Sequence, residues 1–476
     1  MIEEKPLLVF AIMNRQTIEY HDKTQTRGAT MRQKRTVRPS LFDSVLEHDI
    51  AIELEAMSNL LDAHPIVLGW VESDLRDRAL ASTGRKGLSV ESILRCAILK
   101  QSRQLTYQEL AFFLQDSISL RAFARLAMGC PQKSALQAGI AAITADTWEK
   151  LNLLLLDTAC VHKAETGRVV RIDSTVTDSP IATPSDSALL FDAVRESVRL
   201  LKQFDSLLVE QPVQWHNHRR VAKRLAYQLQ YTVKRKRPPA YRKLLKIASR
   251  SLQYVCLARV QAVASAPANS KIRAWIESAE TLEALGAAVM DQTQRRVFQG
   301  ETVPADKKVF SLFEPHTDII IKGARDVAFG HKLNLTTGRS GLVLDVVIES
   351  GNPADTARFL TMIERQTMIY GRPPRQVATD GGYASQENLA AAKALGTKDV
   401  AFHKKKGLKV SEMVKSPWVY RKLRNFRAGI EGNISCLKRA YGLSRCTWKG
   451  LEHFRSYVWS AVVSRNVLLL ARLLQT

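Results

Sequence analysis

Val169-Val170-Arg171-Ile172-Asp173 and Gln376-Val377-Ala378-Thr379-Asp380 share one pattern, a short apolar run rich in β-branched residues that ends in a carboxylate. Each reads as a strand that delivers its Asp at the strand end, where parallel and mixed sheets present their chemistry. The second run is followed by the turn Gly381-Gly382. A third acid, Glu431, lies in a helical stretch from about Leu423 to Tyr441. At ~100° per residue, a step of four overshoots a full rotation by about 40° and a step of seven falls about 20° short. Arg427, Glu431 and Lys438 therefore project from one face.

A single Asp at a strand end is ordinarily a turn former; here the apolar strands before both Asp residues raise its weight. Gly429 and Gly432 flank Glu431, and Gly inside a helix costs about 1 kcal/mol against Ala. The pair is expected where something comes close, such as substrate backbone or a metal-bound phosphate. The alternative is a helix break that leaves Glu431 at the surface.

Outward from these stretches, Asp318–Lys322, Phe329–Leu335 and Gly341–Glu349 read as strands, the last two a hairpin across residues 336–341. A helix from about Pro353 to Tyr370 precedes the Asp380 strand. Another, Ser385 to Leu395, follows it, and Lys398–Phe402 is a further strand. Between the Asp173 strand and this sheet lies a cap at Thr183–Ser187 and then helical periodicity to about Gly300. The predicted fold class is α/β: a ribonuclease H-like mixed sheet with a long helical insertion after the first strand, plus an N-terminal all-helical domain.

That N-terminal domain shows helical patterning from about Asp43 to Leu155, past a turn at Thr83–Gly87. Ser89 is placed to cap one helix with Ser92 three residues on, and Thr106 to Glu109 spells a capping box. A third helix near Ser119 holds Arg121 and Arg125, and Pro131–Ser134 leads into another. Such short basic helices fit helix-turn-helix DNA binding and equally any small helical bundle. The expected division is residues 1–42 as a poorly structured extension, 43–160 as the helix-turn-helix-like domain, 161–186 with 301–476 as the catalytic domain, and 187–300 as a basic helical insertion. Met31, at the head of a basic run to Arg38, is the expected natural start.

Composition narrows the partners. Lys and Arg number 70 against 46 Asp and Glu, a formal charge of +24, and a polyanion is the natural partner for such an excess. From Gln211 to Arg250 there are twelve Lys or Arg and no acid. Arg219, Arg220, Lys223, Arg224, Lys234, Arg235, Lys236 and Arg237 belong to this tract, with Tyr227, Tyr231 and Tyr241 interleaved. A solvated helix face normally mixes signs, so an all-basic stretch fits phosphate contact. The six cysteines are scattered without a CxxC pair, which indicates neither a zinc site nor a disulfide framework and points to a reducing cytoplasm. The apolar run Leu7–Met13 follows acids and has no cleavage site, so it fails as a signal peptide. Residues 457–475 are apolar but interrupted by Arg465 and Arg472, as in a buried helix and not a membrane span.

The chain resembles DDE transposases of bacterial insertion sequences, of the ISNCY type, over residues 31–476. Three passages carry the resemblance: Arg171–Thr175 with Thr183–Ser187, Ala378–Tyr383, and Arg427–Glu431 through Lys438. Related families place the third carboxylate in a Tyr, Arg, Glu, Lys pattern; this sequence keeps Arg427, Glu431 and Lys438 but has Arg424 at the tyrosine position. The resemblance implies metal-dependent cleavage and strand transfer at insertion-sequence ends. It implies two ions, Mg²⁺ or Mn²⁺, with Asp173 bridging both, Asp380 on one and Glu431 on the other, while Arg427 and Lys438 clamp phosphates. The implied partners are double-stranded DNA with terminal inverted repeats, target DNA and further copies of the chain, in a cytoplasmic, nucleoid-associated setting without a membrane. The competing functions are a ribonuclease H-like nuclease or resolvase without strand transfer, and a non-catalytic DNA-binding protein.

Other residues weigh less. His331 reads as a strand histidine with ordinary hydrogen bonds. Asp178, Asp186 and Asp192 sit in loop and cap positions too close behind the first strand to displace Asp173. Trp418 and Trp448 flank the Glu431 helix, where they could stack on an unpaired base, and read better as core residues.

Overall fold

The computed structural model describes residues 48–77, 87–126, 129–208, 213–265, 269–322, 326–404 and 407–475. The expectations placed on residues 1–42, on Met31 and on most of the turn at residues 83–87 lie outside the described residues. The chain divides into two compact units, residues 1–177 with 332–476, and residues 178–331.

The first unit begins with helices α1 (Asp49–Asp62), α2 (Ile66–Asp77), α3 (Val90–Ser102), α4 (Tyr107–Asp116), α5 (Ile118–Phe123), α6 (Lys133–Ile140) and α7 (Ala145–Val161). Local signals set their starts. The Ser89 side chain accepts from Ser92 N at 3.1 Å, and the Thr106–Glu109 capping box forms in both directions at 3.1 and 2.7 Å. Long-range ion pairs then lock the helices together. Arg95, almost fully buried, reaches Glu91 at 3.1 Å and Asp62 at 2.9 Å, and Arg125 meets the other oxygen of Asp62 at 2.8 Å. Arg125 is thus spent on α1.

Along the chain the strands are β1 (Val169–Asp178), β2 (Asp318–Lys322), β3 (Asp326–Thr337), β4 (Val343–Ile348), β5 (Gln376–Thr379) and β6 (Asp399–Phe402). In the first unit the sheet order is β4-β3-β1-β5-β6, with β3 antiparallel to β4 and with β1, β5 and β6 parallel. Taken in chain order within this unit, the strands stand third, second, first, fourth, fifth, the arrangement of a ribonuclease H-like sheet. A buried carboxylate fixes one edge: Glu165 accepts from the backbone of Thr166 and Gly167, and from the N–H and hydroxyl of Ser340 at 2.8 and 2.7 Å in the β3–β4 turn. A Cβ on Gly338 would lie 2.1 Å from Glu165, so that turn needs glycine.

In the second unit, helices α8 (Asp186–Leu207), α9 (Arg219–Tyr231), α10 (Pro238–Ser265) and α11 (Ser270–Gln294) pack on one another around apolar clusters centred on Leu190, Leu244 and Val289, and on Leu201, Val255 and Trp275. There β2 runs antiparallel to the first half of β3, from Asp318 opposite Gly330 to Lys322 opposite Asp326.

Returning to the first unit, α12 (Phe359–Tyr370), α13 (Gln386–Ala394) and the short α14 (Val410–Met413) flank β5 and β6, followed by α15 (Pro417–Ala440) and α16 (Leu451–Gln475). Ser416 caps α15 through Val419 N at 3.3 Å, with Pro417 at the first helical position. The helix runs unbroken past Gly429 and Gly432, which excludes the helix break. α16 packs against α1, α3 and α7 and is mostly buried, though it is long and apolar enough to cross a membrane. Its Arg465 is buried as well, donating to Gly341 O and to Asn433 Oδ1, both at 2.8 Å.

Candidate active site

Strand register explains how residues far apart in the chain meet. β1 and β5 are parallel, pairing Val169 with Gln376 and ending at Ile172 with Thr379. The next residue on each strand is the Asp. Asp173 is therefore not at the end of its strand, as the sequence suggested: β1 continues to Asp178, and what ends beside Asp173 is the partner β5. Its side chain is 16 % exposed, and Oδ1 accepts from Ser174 N at 2.8 Å.

Asp380 opens a 3₁₀ turn, Gly381–Tyr383. A Cβ on Gly381 would lie 2.5 Å from Lys404 Cβ, and one on Gly382 would lie 2.7 Å from Asp355 Oδ2, so close packing dictates both glycines. Tyr383 is fully buried beneath the turn and donates to Asn334 Oδ1 at 2.8 Å, while Asn334 Nδ2 donates to Glu349. Burial, with Asp355, Asp173 and Asp380 nearby, raises the pKa of the phenol well above its usual value. Tyr383 thus stays a protonated donor that anchors the turn behind Asp380, a role that no local sequence pattern signals.

From α15, one guanidinium reaches all three acids. Arg427 Nη2 lies 3.0 Å from Asp173 Oδ2 and 3.9 Å from Asp380 Oδ1, and Nη1 lies 2.7 Å from Glu431 Oε1. The contact to Glu431 is the four-residue helical step expected from the sequence. Arg427 and Asp173 are 13 % and 16 % exposed whereas Asp380 and Glu431 are 42 % and 64 % exposed, so the first pair forms the floor and the other two acids open outward. Among the described residues, no group of three or more His, Cys, Asp or Glu side chains stands close enough to hold a metal ion; what the three acids share is contact with Arg427. Their donor set nonetheless fits a divalent cation, since all three present hard carboxylate oxygens.

Gly429 has an internal cause. A Cβ there would lie 2.1 Å from Arg171 Nη1, whereas at Gly432 it would meet open space. At Gly429 the group that comes close is therefore the chain's own Arg171, in place of the expected substrate backbone or phosphate, and the space at Gly432 is open. Arg171 is buried, donates from Nε to Thr337 Oγ1 at 2.9 Å and from Nη1 to Phe426 O at 2.8 Å, and stacks over the Phe426 ring at 4.6 Å. It rivets α15 to the sheet one turn before Glu431. Lys438 lies about 10 Å farther along the helix axis, by a rise of 1.5 Å per residue, and borders a separate cavity.

In the second unit most of the basic tract is exposed. Arg219, Arg220, Lys223 and Arg224 are exposed on α9, whose buried face is Ala222, Leu225, Ala226 and Leu229. Lys234, Arg235 and Lys236 are exposed on a 3₁₀ turn, and Arg237 is half-buried, donating to Thr232 O at 2.7 Å. Tyr227 and Tyr231 are exposed and pack on each other with centroids 4.9 Å apart. Tyr241 instead joins the core. Asp186 pairs with Arg296 at 2.8 Å and Asp192 with Arg195 at 2.9 Å, both within this unit. His331 bonds to His316 at 2.8 Å and pairs with Asp318 at 3.3 Å. Trp448 is a core residue, but Trp418 is 61 % exposed with Lys422 over its ring, so its expected burial is corrected.

The chain matches two known families. Residues 301–467 match the family described as a transposase DDE domain, and residues 43–137 match a transposase domain, DUF772. No curated protein and no solved structure matches the chain. The first of the two family matches contains Asp380, Arg427 and Glu431 but begins after Asp173, which is tied to them by sheet register and by Arg427. With more than half of its residues in two transposase families, the chain belongs to the DDE transposases of insertion sequences.

Proposed function

We propose that Asp173, Asp380 and Glu431 are the catalytic carboxylates of this transposase, and that Arg427 first gathers them and then engages DNA phosphate. The observation that carries this is the single guanidinium in contact with all three acids. As a DDE transposase the chain depends on divalent metal and acts on DNA ends. We assign Mg²⁺ or Mn²⁺, two ions, to the three carboxylates. When bound, such ions activate the attacking oxygen and stabilise the leaving one.

The chain's own groups do the rest. Arg171 and Tyr383 hold the helix and the turn that present Glu431 and Asp380. Arg427 offers a planar fork suited to a phosphate, and Lys438 adds a point charge farther along α15. The exposed cations Arg219, Arg220, Lys223, Arg224, Lys234, Arg235 and Lys236, with the half-buried Arg237, form a track for the DNA backbone, and Tyr227 and Tyr231 lie among them.

The four-part division into residues 1–42, 43–160, 161–186 with 301–476, and 187–300 remains our functional reading, with the helical block as an insertion in a ribonuclease H-like order and the N-terminal helices reading DNA. We further place the chain in the ISNCY-type group, acting in a nucleoid-associated setting as a homo-oligomer on inverted repeats and target DNA. The test is direct: Asp173→Asn, Asp380→Asn and Glu431→Gln are each expected to reduce cleavage and strand transfer of end-bearing DNA to background while DNA binding persists. Full cleavage by any one variant removes that residue from the site.

A further inference from the structure

A cavity of about 730 Å³ opens in the first unit between α3, the start of α4, α6 and the segment that joins α15 to α16. Its volume falls within the ~300–1,000 Å³ typical of small-ligand sites. Lys100, Lys133 and Arg445 border it together with Lys438 of the clamp, and among the described residues no carboxylate does.

Lys100 is the unusual member. It is 6 % exposed, and among the described residues no carboxylate pairs with it. Its ammonium instead faces the rings of Tyr107 and Trp448, 4.8 and 5.7 Å from their centroids. Burial pulls its pKa down to about 8. Trp448 is 7 % exposed, and among the described residues its indole N–H has no partner. Buried charges are normally paired, so a deeply buried ammonium beside the cavity calls for an acceptor. The walls are held from both ends of the sequence: Gln101 donates to Tyr441 O at 2.6 Å, and the Gln104 amide donates to Arg439 O.

We propose that this cavity is a phosphate-binding site separate from the carboxylate centre, taking the phosphate of a nucleotide, whether in a DNA strand or free. A phosphate accepts hydrogen bonds and carries negative charge, which complements the ammonium and guanidinium groups at the cavity. The volume accommodates more than an inorganic ion.

The test uses the full chain, the double variant Lys133→Gln/Arg445→Gln at the exposed rim, and Lys100→Met. Inorganic phosphate and a deoxynucleoside 5′-monophosphate are titrated against thermal unfolding at matched ionic strength, and DNA binding is measured across salt concentrations. Saturable stabilisation of the parent chain that disappears in the rim variant is the expected result. For a DNA source, the slope of log affinity against log salt also becomes shallower by about 0.9 for each phosphate that the variant no longer neutralises. For a free nucleotide, monophosphate binding disappears and the DNA slope stays. If neither phosphate nor monophosphate stabilises the parent chain beyond matched chloride, and no variant changes the slope, the proposal is overturned. Asp380→Asn separates this from the catalytic assignment, since it is expected to retain phosphate binding while cleavage is abolished.

Discussion

Arg427 on α15 and the arginines of α9 are the same side chain in opposite circumstances. Arg427 meets three carboxylates; Arg219, Arg220 and Arg224 meet none among the described residues, and their helix face carries no acid at all. A compensated arginine organises its neighbours, fixing the spacing and direction of the acids around it. An uncompensated row organises nothing within the protein and keeps its affinity for an external polyanion. In the function proposed above, the two regions divide the work between geometry and attraction.

Neutralising the two regions therefore breaks different things. Changing Arg219, Arg220, Lys223 and Arg224 together to Gln is expected to make the salt slope of DNA binding shallower by about 3 to 4. Over a fourfold rise in salt, that separates the variant from the parent by roughly a hundredfold in relative affinity, while cleavage on saturating DNA is retained. Arg427→Gln is expected to do the reverse. It leaves the salt slope nearly intact but lowers metal-dependent cleavage about ten- to a hundredfold, the usual effect of removing a group that orients metal ligands. An unchanged cleavage rate in titrations of divalent metal would show that the carboxylates need no such spacer.

Two buried charges sharpen the comparison. Glu165 accepts from neutral donors in the first unit, and the Arg171 guanidinium attracts it as well. Glu165→Ala strands those donors and is expected to cost about 2 kcal/mol in denaturant unfolding, with no direct effect on the site. Lys100 is the uncompensated counterpart. With its folded pKa near 8 against 10.5 in the unfolded chain, the unfolded state holds the proton more tightly between those values, so this group's contribution to stability rises with pH across that window. Below pH 8 its burial is a standing penalty. Lys100→Met is accordingly expected to be more stable than the parent at pH 7, with the difference shrinking from pH 8 to 10.5 in thermal unfolding. A pH-independent difference would place the ammonium in water.

Much of the sheet is legible in the sequence because its signals are local. β2 matches its expected span at both ends, β5 and β6 within one residue, and the capping box and the β3–β4 hairpin occur where their residues spell them. The helical step from Arg427 to Glu431 is also legible, since it depends only on periodicity. What escapes is set by partners distant in sequence. Asp173 reads as a strand end because an isolated strand cannot show how far its neighbour extends. Gly429 reads as a sign of substrate because nothing beside it points to Arg171. Tyr383 and Lys100 look like ordinary polar residues until burial sets their surroundings, and Trp418 passes for a core residue on hydrophobicity alone.

The last described helix completes the first unit's core. Asn466 on α16 donates to Asn152 on α7 at 2.7 Å across 314 positions, and α16 also packs on α1 and α3. During synthesis the early helices therefore emerge long before the surface that covers them. Until α16 leaves the ribosome they are without that apolar cover, which makes the nascent N-terminal segment a natural client for chaperones and makes loss of the final helix a defect felt first at the opposite end of the chain.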